Sequence, residues 1–232
     1  QPLGLSSGDR GLTLNPLYLH GGISMSSTCL WTGGSVILVS NFDAVGFFET
    51  LTALKPSWFH GSFAFMQSIL DYARNHEIAG VKGQLRFIRP TSGKIEKEIS
   101  QGMEEAFGAP VLEAFGSTET GRAACNPLPP GLRKRGTLGR AINCEIAVLG
   151  EDNAFLTANE IGEILIRGDN VIDGYENDEE ANRTSFFENW YRTGDLGSLN
   201  EDGYLTLGGR IKEMINRGGE KISPSEIDSV II

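Results

Sequence analysis

Between residues 35 and 115 the apolar positions of this chain alternate between two spacings. Short apolar runs at Ser35 to Val39, Trp58 to His60, Leu85 to Ile88 and Val111 to Ala114 have the length and bounding residues of strands. Between them, Ala44, Phe47, Phe48, Leu51 and Leu54 recur at helical spacing. So do Phe63, Met66, Ile69, Leu70 and Ala73, and then Ile95, Ile99, Met103 and Phe107. Strands that alternate with helices predict a parallel sheet with helices on its faces, here over residues 1–125. The apolar stripes are core positions, and no cofactor is needed to explain them.

The pattern changes at Asn126, Pro127, Leu128, Pro129, Pro130 and Gly131, which can continue neither a helix nor a central strand. Beyond it the spacing is that of strands: Glu145 to Leu149, Gly162 to Arg167, Leu196 to Leu199 and Tyr204 to Leu207. The last two are joined through Asn200, Glu201, Asp202 and Gly203, where Asp-Gly supplies the positive φ of a hairpin turn. Residues 126–211 are therefore expected to form a β-rich, distorted barrel-like subdomain. Residues 212–232, with a helix starting near Pro224 and Ser225, are expected to be a hinge and the start of a further domain.

Composition narrows the classes of partner. A net charge of -10 argues against nucleic acid as the main partner, because a phosphate backbone calls for a basic face. No apolar run is long enough to span a bilayer. Cys29, Cys125 and Cys144 are odd in number and lack a CxxC pair, so neither a disulfide framework nor a zinc site is indicated and a reducing compartment fits. His60 and His76 have no carboxylate or cysteine at ligand spacing. A local basic cluster at Arg210, Lys212, Arg217 and Lys221, opposed by Glu213 and Glu220, is enough for a nucleotide.

The residues with chemistry lie around Tyr191 to Lys221. In Tyr191-Arg192-Thr193-Gly194-Asp195 the glycine permits close backbone approach, and the aspartate offers two acceptors suited to a ribose diol. Arg210 adds a planar, permanently charged fork for phosphate or ribose oxygens. The hairpin between them is expected to fix Asp195 relative to Arg210. Ala114 to Thr120 (AFGSTET) follows an apolar run and so falls at a strand's carboxyl end, where open α/β sheets bind ligands.

YRTGD, followed by GRIKEMINRGGEKISPSEID, resembles the ribose-binding and hinge motifs of the adenylate-forming superfamily, which includes acyl-CoA ligases, luciferases and peptide-synthetase adenylation domains. AFGSTET is similar to its aromatic-Gly-x-Thr-Glu motif. The resemblance implies that Phe115 lies against adenine, with Gly116 and Ser117 beside it, that Thr118 bonds the α-phosphate, and that Glu119 helps hold Mg²⁺. It likewise implies that Asp195 and Arg210 bind ribose and phosphate, that Gly93 lines the adenine, and that Lys212 is a catalytic hinge. Gly168 to Tyr175, Thr184, Phe186 and Trp190 match the run into the ribose motif and are expected to shape the loop. Pro16 to Gly22 resembles the acyl-tunnel segment with His20 one place late, Leu19 standing at the usual histidine position. Gly93 and Lys94 replace the small residues and proline usual before the adenine loop.

What the resemblance implies as a whole is an ATP-dependent carboxylate–CoA ligase. It would use ATP (with AMP as product), Mg²⁺, coenzyme A and a small carboxylic acid, a fatty acid or a dicarboxylate, in the cytoplasm or peroxisome. The chain begins without Met, and the family's phosphate loop and adenylation lysine are not found in it. It is therefore expected to be the central part of a longer enzyme, inactive alone. A carrier-protein-loading adenylation domain and a non-catalytic nucleotide-binding fragment are the alternatives.

Overall fold

The computed structural model describes residues 3–217 except 77, 79 and 92–94, together with 220–222, 224 and 227. The chain divides into two compact units, residues 1–114 with 126–133, and residues 115–125 with 134–232.

The first unit holds four parallel strands in the order β2-β1-β3-β4: β1 (Arg10–Thr13), β2 (Ser35–Leu38), β3 (Trp58–Ser62) and β4 (Phe87–Thr91). Four helices connect and extend them: α1 (His20–Trp31), α2 (Ala44–Leu54), α3 (Phe63–Asn75) and α4 (Lys97–Phe107). The two-residue period of the strands sorts their side chains. Leu12, Phe59 and Ile88 meet Phe47 and Leu51 of α2, Met66, Ile69 and Leu70 of α3, and Ile99, Met103 and Phe107 of α4 in one core. On the opposite face Trp58 stacks on Phe87 with ring centroids 5.5 Å apart, and Thr13 Oγ1 lies 3.0 Å from Ser26 Oγ of α1. The helix boundaries are chemically marked. Asp43 caps α2 by accepting the Gly46 N–H at 2.8 Å, and Ser62 caps α3 by accepting that of Phe65.

One strand differs from expectation. Val111 forms a single parallel bridge with Ile88, held by Ile88 N–H to Pro110 O and Leu112 N–H to Ile88 O, and the chain then leaves this sheet. The next strand, β5 (Ala114–Ser117), instead joins β6 (Gly121–Cys125) and β7 (Arg140–Ala141).

The second unit is β-rich, as the strand-like spacing implies. Its five-stranded sheet runs β10-β11-β9-β8 with β12 also on β11: β8 (Glu145–Leu149), β9 (Gly162–Arg167), β10 (Phe186–Phe187), β11 (Trp190–Leu199) and β12 (Leu205–Arg210), all antiparallel. A short helix, α5 (Glu179–Ser185), precedes β10, and a ribbon of β13 (Ile215–Arg217) and β14 (Glu220–Ile222) follows β12. Ile164 and Ile166 of β9 pack with Ala123, Ala124, Leu138 and Leu205, while Leu165 joins Leu149 and Trp190 on the other side. No helix among the described residues is long and apolar enough to cross a membrane.

Candidate functional site

The site residues expected from sequence fall in the second unit, apart from Gly93, which with Lys94 lies outside the described residues. Phe115, Gly116 and Ser117 are in β5, Thr118 and Glu119 form the turn into β6, Asp195 is in β11, and Arg210 ends β12. Lys212 is exposed on a single 3-10 turn, Ile211–Glu213.

The β5–β6 turn is wired internally. Ser117 N–H donates to Thr120 Oγ1 at 3.1 Å, Glu119 N–H donates to Ser117 Oγ at 3.2 Å, and Thr120 is fully buried beneath them. Thr118 stays exposed and Glu119 half-buried. Gly116 approaches the opposite backbone so closely that a Cβ there would stand 1.9 Å from the carbonyl oxygen of Gly121. Phe115 is half-buried and rests on the core of this unit, which leaves part of its ring for a ligand.

Asp195 owes its placement to a bulge. Against β9, Arg192 pairs with Leu165 and Leu196 with Glu163, so Thr193, Gly194 and Asp195 together face Ile164 alone. Gly194 makes this possible with φ +71°, and its Cβ position is open space. Glu163 clamps the bulge: one oxygen accepts from Arg192 Nε at 2.9 Å and from its terminal nitrogen, and the other from Gly194 N–H at 3.2 Å. Thr193 Oγ1 donates to Ile164 O at 2.8 Å and accepts from Asp195 N–H at 3.1 Å.

On its other edge β11 pairs with β12, where Asp195 stands directly opposite Arg210 and Arg210 Nε–H donates to Asp195 Oδ1 at 3.1 Å. The hairpin fixes the two relative to one another, as expected from its Asp-Gly turn. The Asp195 side chain is 13% exposed and that of Arg210 64%. Among the described residues no donor reaches Asp195 Oδ2. Burial pushes the Asp195 carboxyl above its ordinary pKa even though the Arg210 charge pulls it down. Hydroxyl donors from a ligand would stabilise the ionised carboxylate.

The segment after β9 is strapped to the β5–β6 turn. Ile172 N–H donates to Glu119 O at 2.9 Å, Asn170 Nδ2 donates to Thr120 O at 2.5 Å, and Tyr175 O–H reaches Glu119 Oε1 at 3.2 Å. The Tyr191 hydroxyl lies 3.1 Å from that of Tyr175. Burial, then the Tyr175 hydrogen bond and the fields of Glu119 and Asp195, raise the Tyr191 pKa strongly. The sequence marks Thr120 within AFGSTET and Asn170 within the loop-shaping run, but it gives neither their contacts nor those of Glu163 and the Tyr175 hydroxyl. The available signal was a carboxylate at the head of an otherwise apolar strand, GEILIRG.

Two expectations follow from this geometry. Glu163→Ala strands Arg192 and the Gly194 N–H, and is expected to cost about 2 kcal/mol of unfolding free energy in urea, with a smaller loss for Glu163→Gln. Because the folded pKa of Asp195 is raised, its ionisation opposes folding, and that penalty is relieved as pH falls through the folded value toward 3.8. Hydroxyl donors of a bound diol would favour the ionised form, so affinity for such a ligand should rise with pH through the raised pKa, with proton release on binding. Calorimetry in buffers of different ionisation enthalpy measures this, and Asp195→Asn should abolish the proton release.

The chain belongs to the AMP-binding enzyme family, whose model matches residues 1–176. It is 41% identical over 233 residues to an oxalate–CoA ligase of Arabidopsis thaliana, covering 98% of this chain and 45% of that protein. To an oxalate–CoA ligase of Saccharomyces cerevisiae it is 36% identical, over 97% of this chain and 41% of the relative. Among solved structures it is similar to the O-succinylbenzoate–CoA synthetase of Bacillus subtilis in complex with ATP and magnesium ion. That likeness has a TM-score of 0.86 at 28% identity, over 99% of this chain and 47% of the other. The chain thus spans about half the length of the curated relatives it matches.

Proposed function

We propose that these residues form the nucleotide-binding middle section of an ATP-dependent carboxylate–CoA ligase, acting on a small dicarboxylate such as oxalate, in the cytoplasm or peroxisome. The observation that carries the reading is the Asp195–Arg210 pair: a carboxylate in an enforced bulge, with one oxygen engaged by a guanidinium and the other unclaimed by any described residue. The oxalate–CoA ligase relatives favour a small diacid. As a division of labour, residues 1–125 would carry the adenine- and metal-binding motif, 126–211 the ribose-binding motif, and 212–232 the hinge into a further domain.

In the reaction, a substrate carboxylate oxygen attacks the α-phosphorus of ATP and pyrophosphate leaves, giving an acyl-adenylate. The CoA thiol then attacks the acyl carbon and AMP departs. Asp195 would accept from the ribose hydroxyls and Arg210 would steady ribose and phosphate oxygens. Phe115 would lie along adenine, with Gly116 and Ser117 beside it, and the exposed Thr118 hydroxyl would donate to the α-phosphate. This is catalysis by positioning and charge neutralisation.

Mg²⁺ fits the residues present as a mostly substrate-held ion. Among the described residues no three His, Cys, Asp or Glu side chains converge on a common point, and Mg²⁺ characteristically takes one or two carboxylates plus phosphate oxygens and water. Glu119 would be that carboxylate, and the ion would neutralise phosphate charge. Pyrophosphate release from ATP and Mg²⁺, measured with a panel of acids with and without CoA, tests the reading. Acid-dependent release completed by CoA supports it, transfer only to a carrier-bound thiol favours the carrier-loading alternative, and absence of acid-dependent release by the intact enzyme contradicts it.

A further inference from the structure

The geometry points to Tyr175 and Tyr191 as positioning residues that hold the Glu119 carboxylate and link the metal-binding turn to the ribose-binding strand through a chain of hydroxyls. This rests on the reading above, in which Glu119 takes Mg²⁺ and Asp195 the ribose.

The direction of the chain follows from the donor inventory. The Tyr175 O–H donates to Glu119 Oε1 at 3.2 Å, which uses its single hydrogen. Tyr175 then has only lone pairs left for Tyr191, whose own hydrogen must point at Tyr175 across 3.1 Å. The order is Tyr191 to Tyr175 to Glu119, and each bond polarises the next.

All three members of the relay are anchored. Tyr175 is gripped by Asn182 of α5, whose Oδ1 accepts the Tyr175 N–H at 2.6 Å and whose Nδ2 donates to the Tyr175 carbonyl at 2.9 Å. Tyr191 is buried in β11, four residues before Asp195 on the same strand, with its ring edge-on to Phe186 at 5.6 Å. Glu119 is further restrained through its own carbonyl by Ile172 N–H. A carboxylate held this way meets a metal in one orientation, and a shift of β11 on ribose binding would pass to it through two hydroxyls.

Tyr→Phe variants remove the relay and keep the rings. The test is ATP binding to the intact ligase by calorimetry, with Mg²⁺ and with EDTA, for the parent, Tyr175→Phe, Tyr191→Phe and the double variant. In the parent, Mg²⁺ should tighten ATP binding. In Tyr175→Phe that tightening should shrink by about tenfold, as for loss of a hydrogen bond to a charged group, while affinity in EDTA changes little. In Tyr191→Phe it should shrink less, and the double variant should match Tyr175→Phe alone, because Tyr191 acts through Tyr175.

Equal weakening with and without Mg²⁺ in both variants would mean a purely structural role and would overturn the proposal. So would full Mg²⁺ tightening in Tyr175→Phe, or additive losses in the double variant. Should Tyr175→Phe fail to fold, Tyr191→Phe carries the same readout, and an unchanged Mg²⁺ effect there overturns the relay. A parent enzyme in which Mg²⁺ does not tighten ATP binding would instead refute the underlying nucleotide-site reading.

Discussion

Gly116→Ala should abolish nucleotide binding, with a loss of at least about a hundredfold in AMP affinity, the scale of a severe backbone conflict. The added Cβ would lie 1.9 Å from Gly121 O and 3.0 Å from its carbonyl carbon, well inside any contact distance. Both partners are backbone, so no rotamer change can relieve the clash. The strands of the β5–β6 hairpin must separate, and the turn that carries Thr118 and Glu119 moves with them. The Ser117–Thr120 bonds and the Ile172 and Tyr175 contacts to Glu119 would be lost together. Equilibrium AMP binding checks this. A variant that binds AMP as tightly as the parent would show that the turn is not part of the site.

Lys212→Pro should make the two half-reactions diverge by about tenfold or more, where tenfold corresponds to about 1.4 kcal/mol of barrier. Lys212 sits exposed in the 3-10 turn Ile211–Glu213, between the end of β12 at Arg210 and the start of β13 at Ile215. Proline disfavours a helical conformation in the residue before it, so Ile211 would be pushed toward extended geometry and the present turn would be destabilised. If residues 212–232 are a hinge, one orientation of the following domain becomes favoured over the other. Adenylation and thioester formation then fall unequally, while Asp195 and Arg210, which precede the substitution, keep their pairing. Single-turnover rates of each half-reaction in the intact ligase decide the matter, and equal slowing of both would make Lys212 merely a surface residue of the turn.

The parts of the structure that were legible in the sequence are those set by local periodicity. The stripes through Phe47, Met66 and Met103 are helices against one core because a 3.6-residue repeat leaves no other face to bury. That Asp195 and Arg210 come together was legible from the hairpin closed at Asp202-Gly203, but their direct pairing was not, because a bulge that skips Gly208 between Leu196 and Gly197 shifts the turn's register by one. There Gly203 N–H donates to Asn200 O at 2.8 Å, and Gly203 adopts φ +76°.

Val111 to Ala114 read as one strand because it is largely apolar, yet only Val111, which packs in the core of the first unit, bridges Ile88, and Ala114 already belongs to β5. The β5–β6 hairpin was hidden because Gly116 and Gly121 are drawn together by backbone pairing and not by any apolar alternation. Glu163 and Tyr175 were equally hidden. Their roles depend on the β9–β11 register and on the path of residues 168–175 back to the 117–120 turn, and both of these bring together residues far apart in sequence.

The intact protein is expected to activate a carboxylate as an acyl-adenylate. Turnover of the intact protein with an ¹⁸O-labelled acid, unlabelled ATP, Mg²⁺ and CoA is the decisive measurement, because attack on the α-phosphorus leaves one carboxylate oxygen on AMP. The expected products are AMP carrying one ¹⁸O and unlabelled pyrophosphate. Label in the released phosphates, or CoA thioester formed with unlabelled AMP, would contradict it.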